Sequence, residues 1–177
     1  PWGTPNPDGL YYLNAGQNVT LSQIRLWGTL IIRTGSATVT ISDSVFFENY
    51  RSDYPTLIVE GNAVISLRSA ETSLSEATAN VNFNPMETPY EGQSDSDKVD
   101  SYPNEIRGLV HVTGEARFQQ NPTIRGFLLA AGDIVVEGTL LQVAYNKSIY
   151  ENPPLGYGDS SSPMVFSPTT WQWDTVP

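Results

Sequence analysis

The chain repeats a simple pattern, in which a short apolar run ends at a glycine and a second short apolar run follows. The first runs cover residues 9–16, 28–35, 56–61, 108–114 and 126–132, and each of them closes on its glycine. The intervals from Gly16 to Gly35 and from Gly114 to Gly132 are both about 18 residues, which matches one short coil of a β-solenoid. The longer intervals match a coil that carries a loop or an insertion. The pattern predicts an all-β, single-domain parallel β-helix (β-solenoid) of about five to six short coils.

Alternation within these runs predicts which side chains face the interior. The inward positions carry aliphatic residues, namely Leu57 and Val59, Val110 and Val112, and Leu128 and Ala130. The intervening positions should point outward, because successive side chains of a strand alternate between its two faces. They include Tyr11, Leu13, Ile58, Leu109, His111, Phe127 and Leu129. An outer face this apolar needs a cover, which the insertion, the termini or another subunit would supply. The sequence therefore predicts protein partners or self-association through this face.

The repeat is interrupted once and is lost near the end of the chain. We expect coils at about 8–67 and 106–145, a long acidic insertion at 68–105 and an irregular C-terminal cap at 146–177. A short helix is predicted within 69–79, and the cap, which contains Trp171 and Trp173, is predicted to dock on the end of the solenoid. A β-sandwich with irregular strands is the alternative architecture.

The charge of the chain narrows the range of partners. Nine basic and nineteen acidic residues give a formal net charge of −10, which argues against nucleic acid and anionic lipid headgroups. No apolar run is long enough to cross a bilayer, so no membrane contact is predicted for this fragment. The chain starts at Pro1 without a leader, and we expect an anchor and an export signal to lie outside it. It contains no cysteine, which leaves the compartment open.

Three segments carry distinctive motifs, namely NFNPMETPY at 82–90, YPNEIRGLVHVTG at 102–114 and NPTIRG at 121–126. Through these motifs, and more loosely through 152–157 and 171–173, the chain resembles the extracellular part of bacterial type IV pilin-like surface proteins. The resemblance implies a β-solenoid on the cell surface or outside the cell, with a non-enzymatic role in structure or assembly. The glycine and β-branched repeats also resemble bactofilin-type polymers. The chain departs from the pilin-like pattern in lacking the anchor helix and its processing site, which puts assembly into a pilus by this fragment in doubt.

An acidic cluster in the insertion is the one candidate metal site. Asp95, Asp97 and Asp100 are closely spaced, and Ca²⁺ is bound by several oxygen ligands of this kind. The spacing does not match an EF-hand loop. A solvated acidic loop is the alternative interpretation, and Ca²⁺ is the one cofactor that the sequence suggests.

Aromatic residues in the first third of the chain offer a second kind of site. Trp27, Tyr50 and Tyr54 are candidates for stacking on sugar rings, which would make the protein a carbohydrate-binding adhesin. If the same side chains pack against the first coils, they are structural instead. Both interpretations remain open at this point.

The residues give little support to catalysis. His111 is the only histidine, and we expect it to pack under the insertion with Ile58 and Leu129. No nucleophile-elbow glycines accompany any serine. Glu60 and Glu115 fall on predicted adjacent coils and are the closest approach to a glycosidase pair. An enzyme acting on acidic sugars would need clustered basic residues, whereas the arginines are scattered along the sequence. We therefore expect no catalytic residues, and a glycan-active enzyme is the third hypothesis.

Overall fold

The computed structural model describes residues 6–158, and almost all of the regular structure is β. Two short helices, α1 (Glu76–Ala79) and α2 (Lys147–Glu151), accompany the strands. The strands are β1 (Leu10–Asn14), β2 (Val19–Trp27), β3 (Thr29–Glu48), β4 (Leu57–Leu67), β5 (Leu74–Ser75), β6 (Ser101–Tyr102), β7 (Glu105–Val112), β8 (Ala116–Gln120), β9 (Thr123–Ala130), β10 (Ile134–Val136) and β11 (Gln142–Ala144). The prediction of a mostly β chain is confirmed. None of the helices in this part of the chain has the length and apolar character needed to cross a bilayer.

Nine of the described strands form one curled sheet, a half-barrel in which all pairings are parallel. The pairing partners recur at similar intervals along the sequence, as Leu10 pairs with Thr29 and Ile106 pairs with Ile124. The interval is longer where loops intervene, as between Ile58 and His111. Sandwiches are built from antiparallel sheets, so this sheet does not fit the alternative architecture.

The core lies on the concave side of the curled sheet. Leu57, Val59, Val110 and Val112 are fully buried, as the alternation predicts. Leu128 and Ala130 on β9 are partly buried and pack against the same cluster. Isoleucine, valine and phenylalanine from the other strands complete it, including Ile32, Val39, Ile41, Phe47, Ile65, Ile106, Phe118 and Ile124. Neighbouring strands therefore share one interior that none could bury alone.

Glycines allow neighbouring strands to approach each other closely. Gly108 and Gly126 are register partners on β7 and β9, with φ of 115° and 155°. A Cβ atom on Gly126 would lie 2.0 Å from the carbonyl oxygen of Gly108. Only glycine fits such an approach, which explains why glycine recurs in the sequence at the same offset.

The insertion covers a different part of the outer surface from the one expected. It contains α1 and the two-stranded antiparallel pair β5–β6. Leu74 and Tyr102 from the insertion bury Phe46 of β3, with Phe83 and Tyr90 packed around them. The insertion thus packs over the end of β3. The helix predicted within 69–79 is present as the single turn α1.

The segment that follows β11 covers part of the predicted apolar outer face. Nδ1 of His111 lies 2.7 Å from the hydroxyl of Tyr157, and the two rings meet edge to face. Phe127 contacts Tyr145 and stacks on Tyr150. The expectation that a terminal segment covers this face therefore holds for residues 145–158. The predicted docking of Trp171 and Trp173 lies outside the described residues.

Candidate functional site

Three charged residues align on neighbouring strands of the sheet. Glu48 at the end of β3 pairs with Arg107 on β7, and Arg107 pairs with Arg125 on β9. Their inward neighbours Phe47, Ile106 and Ile124 are fully buried. Because side chains alternate along a strand, the three charged residues lie on the outer surface.

Glu105 ties the two arginines together. One carboxylate oxygen of Glu105 accepts a hydrogen bond from Nε of Arg107 at 2.6 Å, and the other accepts from Nε of Arg125 at 2.5 Å. Glu105 is only 2% exposed, and the hydrogen bonds from both guanidinium groups compensate for its burial. The two arginine side chains are therefore held at a fixed separation.

Arg107 has further partners that keep it charged. Its Nη1 lies 3.2 Å from Oε1 of Glu48, and its guanidinium stands over the Phe46 ring at 4.9 Å from the centroid. Burial disfavours the charged form, but hydrogen bonds to Glu105 and Glu48 outweigh it and raise the pKa of Arg107. Glu48 also accepts a hydrogen bond from the Tyr90 hydroxyl at 2.6 Å. Burial and this bond raise the pKa of Tyr90, so its hydroxyl stays protonated.

A cleft of about 350 Å³ opens beside these residues, and we call it the arginine cleft. Arg107 and Arg125 form one wall together with Glu48 and Gly108. The remaining lining comes from the loop after β3 and from the segment around α2, and it consists of Asn49, Ser52, Asn146, Ser148, Ile149 and Asn152. Most of the lining residues are polar or charged and supply both donors and acceptors of hydrogen bonds, while about half of the surface that they expose to the cleft is apolar.

The residues of the predicted metal site act as hydrogen-bond acceptors within the insertion. Nδ2 of Asn84 donates to Asp95 at 3.4 Å and to Asp100 at 3.1 Å. Asp97 accepts from the backbone N–H of Val99 at 3.1 Å. Within residues 6–158, no three or more His, Cys, Asp and Glu side chains are grouped as a metal ion requires. Binding of Ca²⁺ by Asp95, Asp97 and Asp100 stays a prediction.

The aromatic candidates are only partly brought together. The rings of Trp27 and Tyr50 meet edge to face, with centroids 5.0 Å apart, and Trp27 also contacts Tyr90 at 5.6 Å. Tyr54 lies instead against Arg51, whose guanidinium carbon is 4.4 Å from the centroid of the Tyr54 ring. Tyr50 is about half exposed, at 48%. Packing accounts for the positions of Trp27 and Tyr54, and glycan binding by the three stays a prediction.

The carboxylates considered for catalysis are engaged in ion pairs. Glu60 pairs with Arg33, and Glu115 lies 2.7 Å from Arg117, which also pairs with Glu137. The Arg33 guanidinium holds the pKa of Glu60 below its usual range, and a hydrogen bond from Gln119 together with Arg117 does the same for Glu137. These two groups are therefore ionised acceptors at neutral pH, and their geometry is that of surface ion pairs.

Sequence reasoning missed the arginine cleft although a signal was present. Arg107 and Arg125 are separated by one step of the repeat, so the repeat itself places them side by side on neighbouring strands. Glu48 could not be placed in the same way, because the insertion separates it from Arg107. The cleft wall around Asn146 and Asn152 has no repeat to reveal it. No family model, curated protein or solved structure matches this chain.

Proposed function

We propose that this chain is a β-solenoid that serves as a non-enzymatic structural and assembly module of a pilin-like bacterial surface protein. The observation that carries the proposal is the succession of parallel pairings at a nearly constant step, seen for Ile106 with Ile124, Leu10 with Thr29, and Val19 with Val39. Stacked coils of one length produce this register. The placement at the cell surface is supported by the resemblance of residues 82–126 to pilin-like ectodomains.

The sheet has open edges at both ends among the described residues. β1 and β2 pair only with β3, while β10 pairs only with β8, and β11 only with β9. Because the strands are parallel, the last edge of one copy has the strand direction needed to pair with the first edge of another. Such a contact is heterologous, and repetition of it builds a filament.

Exposed apolar side chains accompany both edges. At the first edge they are Leu10, Tyr11 and Tyr12, and Tyr12 is 56% exposed. At the last edge they are Ile134, Val136 and Val143, each about half exposed. Burying them against a second copy would add a hydrophobic contribution to the backbone hydrogen bonds of the new strand pairs. We therefore assign self-association to the two ends.

Light scattering coupled to size-exclusion chromatography tests the assembly proposal. The average mass should rise with protein concentration, and lysine at an edge should suppress the rise, because a charged edge strand resists pairing. The variants are Tyr12→Lys on β1 and Val136→Lys on β10. Val99→Lys is the matched control, since Val99 is an exposed apolar residue of the insertion, at 74%. A protein that is monomeric at every concentration, or equal association in all variants, would refute the proposal.

The ion pairs of the coil carboxylates support a non-enzymatic role. Glu60 and Glu115, the residues with the best spacing for a glycosidase, both accept hydrogen bonds from arginines. A general acid must hold a proton near neutral pH, whereas the lowered pKa of Glu60 keeps that carboxylate ionised. An adhesin built on Trp27, Tyr50 and Tyr54 is the alternative proposal, and the exposed ring of Tyr50 is the feature that supports it.

A further inference from the structure

We propose that the arginine cleft binds a sugar unit that carries a carboxylate, and that Arg125 binds the carboxylate. This inference is independent of the assembly proposal, because the cleft lies on the side of the sheet and not at its ends. It also differs from the aromatic candidates, none of which line the cleft.

The free edge of Arg125 is the first argument. Its Nε is occupied by Glu105, whereas Nη1 and Nη2 contact no acceptor among the described residues. The side chain is 51% exposed and lines the cleft. Two adjacent N–H groups of a guanidinium match the two oxygens of a carboxylate, and this bidentate pair is stronger and more directional than a single hydrogen bond.

The balance of charge around the arginines is the second argument. Arg107 forms ion pairs with both Glu48 and Glu105. Among the described residues, Arg125 forms an ion pair with Glu105 alone, and Arg107 also uses that carboxylate. The formal charges of these two arginines and two glutamates sum to zero, so the free Nη groups of Arg125, and not an excess of positive charge, would hold one carboxylate. A doubly charged phosphate is less suitable, because Glu48 and Glu105 lie in the same wall. The cleft thus favours a singly charged, planar anionic group.

Preorganisation is the third argument. The buried carboxylate of Glu105 fixes Nε of Arg125, so the guanidinium is already oriented before a ligand arrives. A site of this kind loses little side-chain entropy on binding. The alignment of Arg107 and Arg125 in the strand ladder gives the wall a rigid base.

The polar lining indicates that the rest of the ligand carries hydroxyl groups. Asn146 uses its Oδ1 to accept from the Ser148 N–H at 3.0 Å, which leaves its Nδ2 for another partner. Asn152, Ser52 and Ser148 add further donors and acceptors, and Ile149 is the one large apolar residue in the lining. A sugar unit presents hydroxyls in several directions and C–H groups on the faces of its ring, so it suits walls that are polar and apolar in about equal parts, whereas a wholly apolar ligand would leave the polar groups unpaired. The volume of about 350 Å³ lies at the small end for ligand sites, consistent with one sugar unit.

Isothermal titration calorimetry with short galacturonate and glucuronate oligosaccharides tests the proposal. The matched neutral galactose and glucose oligosaccharides should bind about tenfold more weakly, because they lack the charge-assisted pair with Arg125. Arg125→Gln should remove this preference, and Arg125→Lys should restore it only in part, since lysine cannot form the bidentate pair.

Arg33→Gln provides the matched control. Arg33 is also an exposed arginine paired with one glutamate, Glu60, but it does not line the cleft. This variant should keep the full preference for uronates. Circular dichroism of each variant shows whether it is folded. The proposal is overturned if the folded protein binds no uronate, if Arg125→Gln binds them unchanged, or if inorganic phosphate binds as tightly as the uronates.

Discussion

Gly126 is a residue at which even one added methyl group cannot be accommodated. Its Cβ would lie 2.0 Å from the Gly108 carbonyl oxygen, and its φ is 155°. The obstacle is backbone, which cannot rotate away, so Gly126→Ala should lower the free energy of unfolding by about 3 kcal/mol. Gly16→Ala is the control, because no atom lies within 4 Å of the added methyl group and the φ of Gly16 is not left-handed. Its free energy of unfolding should stay within about 0.5 kcal/mol of the wild-type value. Urea unfolding measures both, and equal midpoints would contradict the close approach.

Tyr102 carries a buried hydroxyl without a partner among the described residues. The residue is 8% exposed, and its ring packs on Phe46. An unpaired buried hydroxyl destabilises the fold, so Tyr102→Phe should raise the free energy of unfolding by about 1 kcal/mol at neutral pH. Tyr12→Phe, at an exposed position, should leave it unchanged. Chemical denaturation at pH 7 checks both, and a loss of stability in Tyr102→Phe would reveal a partner for the hydroxyl.

The same tyrosine makes a prediction for alkaline solution. Burial, followed by the charge of Glu76, raises the pKa of Tyr102 to about 12 from an ordinary value of 10.0. The protonated hydroxyl is thus favoured in the folded state, and this contribution is complete below pH 10 and is lost as pH rises towards 12. The wild-type protein should lose more stability over this interval than Tyr102→Phe does. Thermal unfolding at a series of pH values measures the difference, and parallel curves would contradict the raised pKa.

Strands β7 and β9 are held together by more than their backbone hydrogen bonds. Glu105 on β7 binds an arginine on each strand and is almost fully buried. Glu105→Gln removes the charge from both hydrogen bonds and should lower the free energy of unfolding by about 2 kcal/mol. Glu60→Gln is the control, since Glu60 pairs with Arg33 at an exposed position, where solvent screens the ion pair, and the substitution should lower the free energy of unfolding much less than Glu105→Gln does. If urea unfolding shows the same loss of stability in Glu105→Gln and Glu60→Gln, the buried ion pairs of Glu105 stabilise the fold no more than the exposed pair of Glu60 does.

The order of the strands could be predicted from the sequence because it depends on a repeat. The interval from Gly114 to Gly132 in the sequence reappears in the structure as the parallel pairing of Gly108 with Gly126. The inward positions, such as Val110, followed from alternation alone. Local rules of this kind are sufficient wherever one strand simply repeats its neighbour.

The parts that cover the sheet could not be predicted, because they follow no repeat. The insertion was expected over the outer face of Ile58 and His111, but it packs on Phe46, and Tyr157 contacts His111 instead. Which apolar patch a loop covers depends on long-range packing that spacing does not encode. The arginine cleft has a predictable part and an unpredictable part. Arg107 and Arg125 are placed by the repeat, whereas Asn146 and Asn152 lie on an irregular segment that no repeat places.

The charge of the whole molecule is concentrated in the insertion. Residues 68–105 contain eight acidic and two basic residues and therefore contribute −6 of the formal net charge of −10. The insertion packs beside the end of β3 and leaves the two edges of the sheet to the apolar residues described above. In an end-to-end stack, successive copies would repeat this acidic side, and the repulsion between them would oppose the attraction between the edges.

The two proposals consequently predict opposite responses to salt. Screening reduces repulsion between acidic copies, so raising NaCl from about 10 to about 150 mM, over which the Debye length falls from about 30 to about 8 Å, should increase the average mass in light scattering. The same change should weaken uronate binding to Arg125, because that attraction is between opposite charges. Val99→Gln, which leaves the charge of the insertion unchanged, should follow wild type in both measurements, and Arg125→Gln should lose only the salt dependence of uronate binding. Self-association that falls with salt would mean that attraction between charged groups holds the copies together, and the apolar edges would then not be the contact.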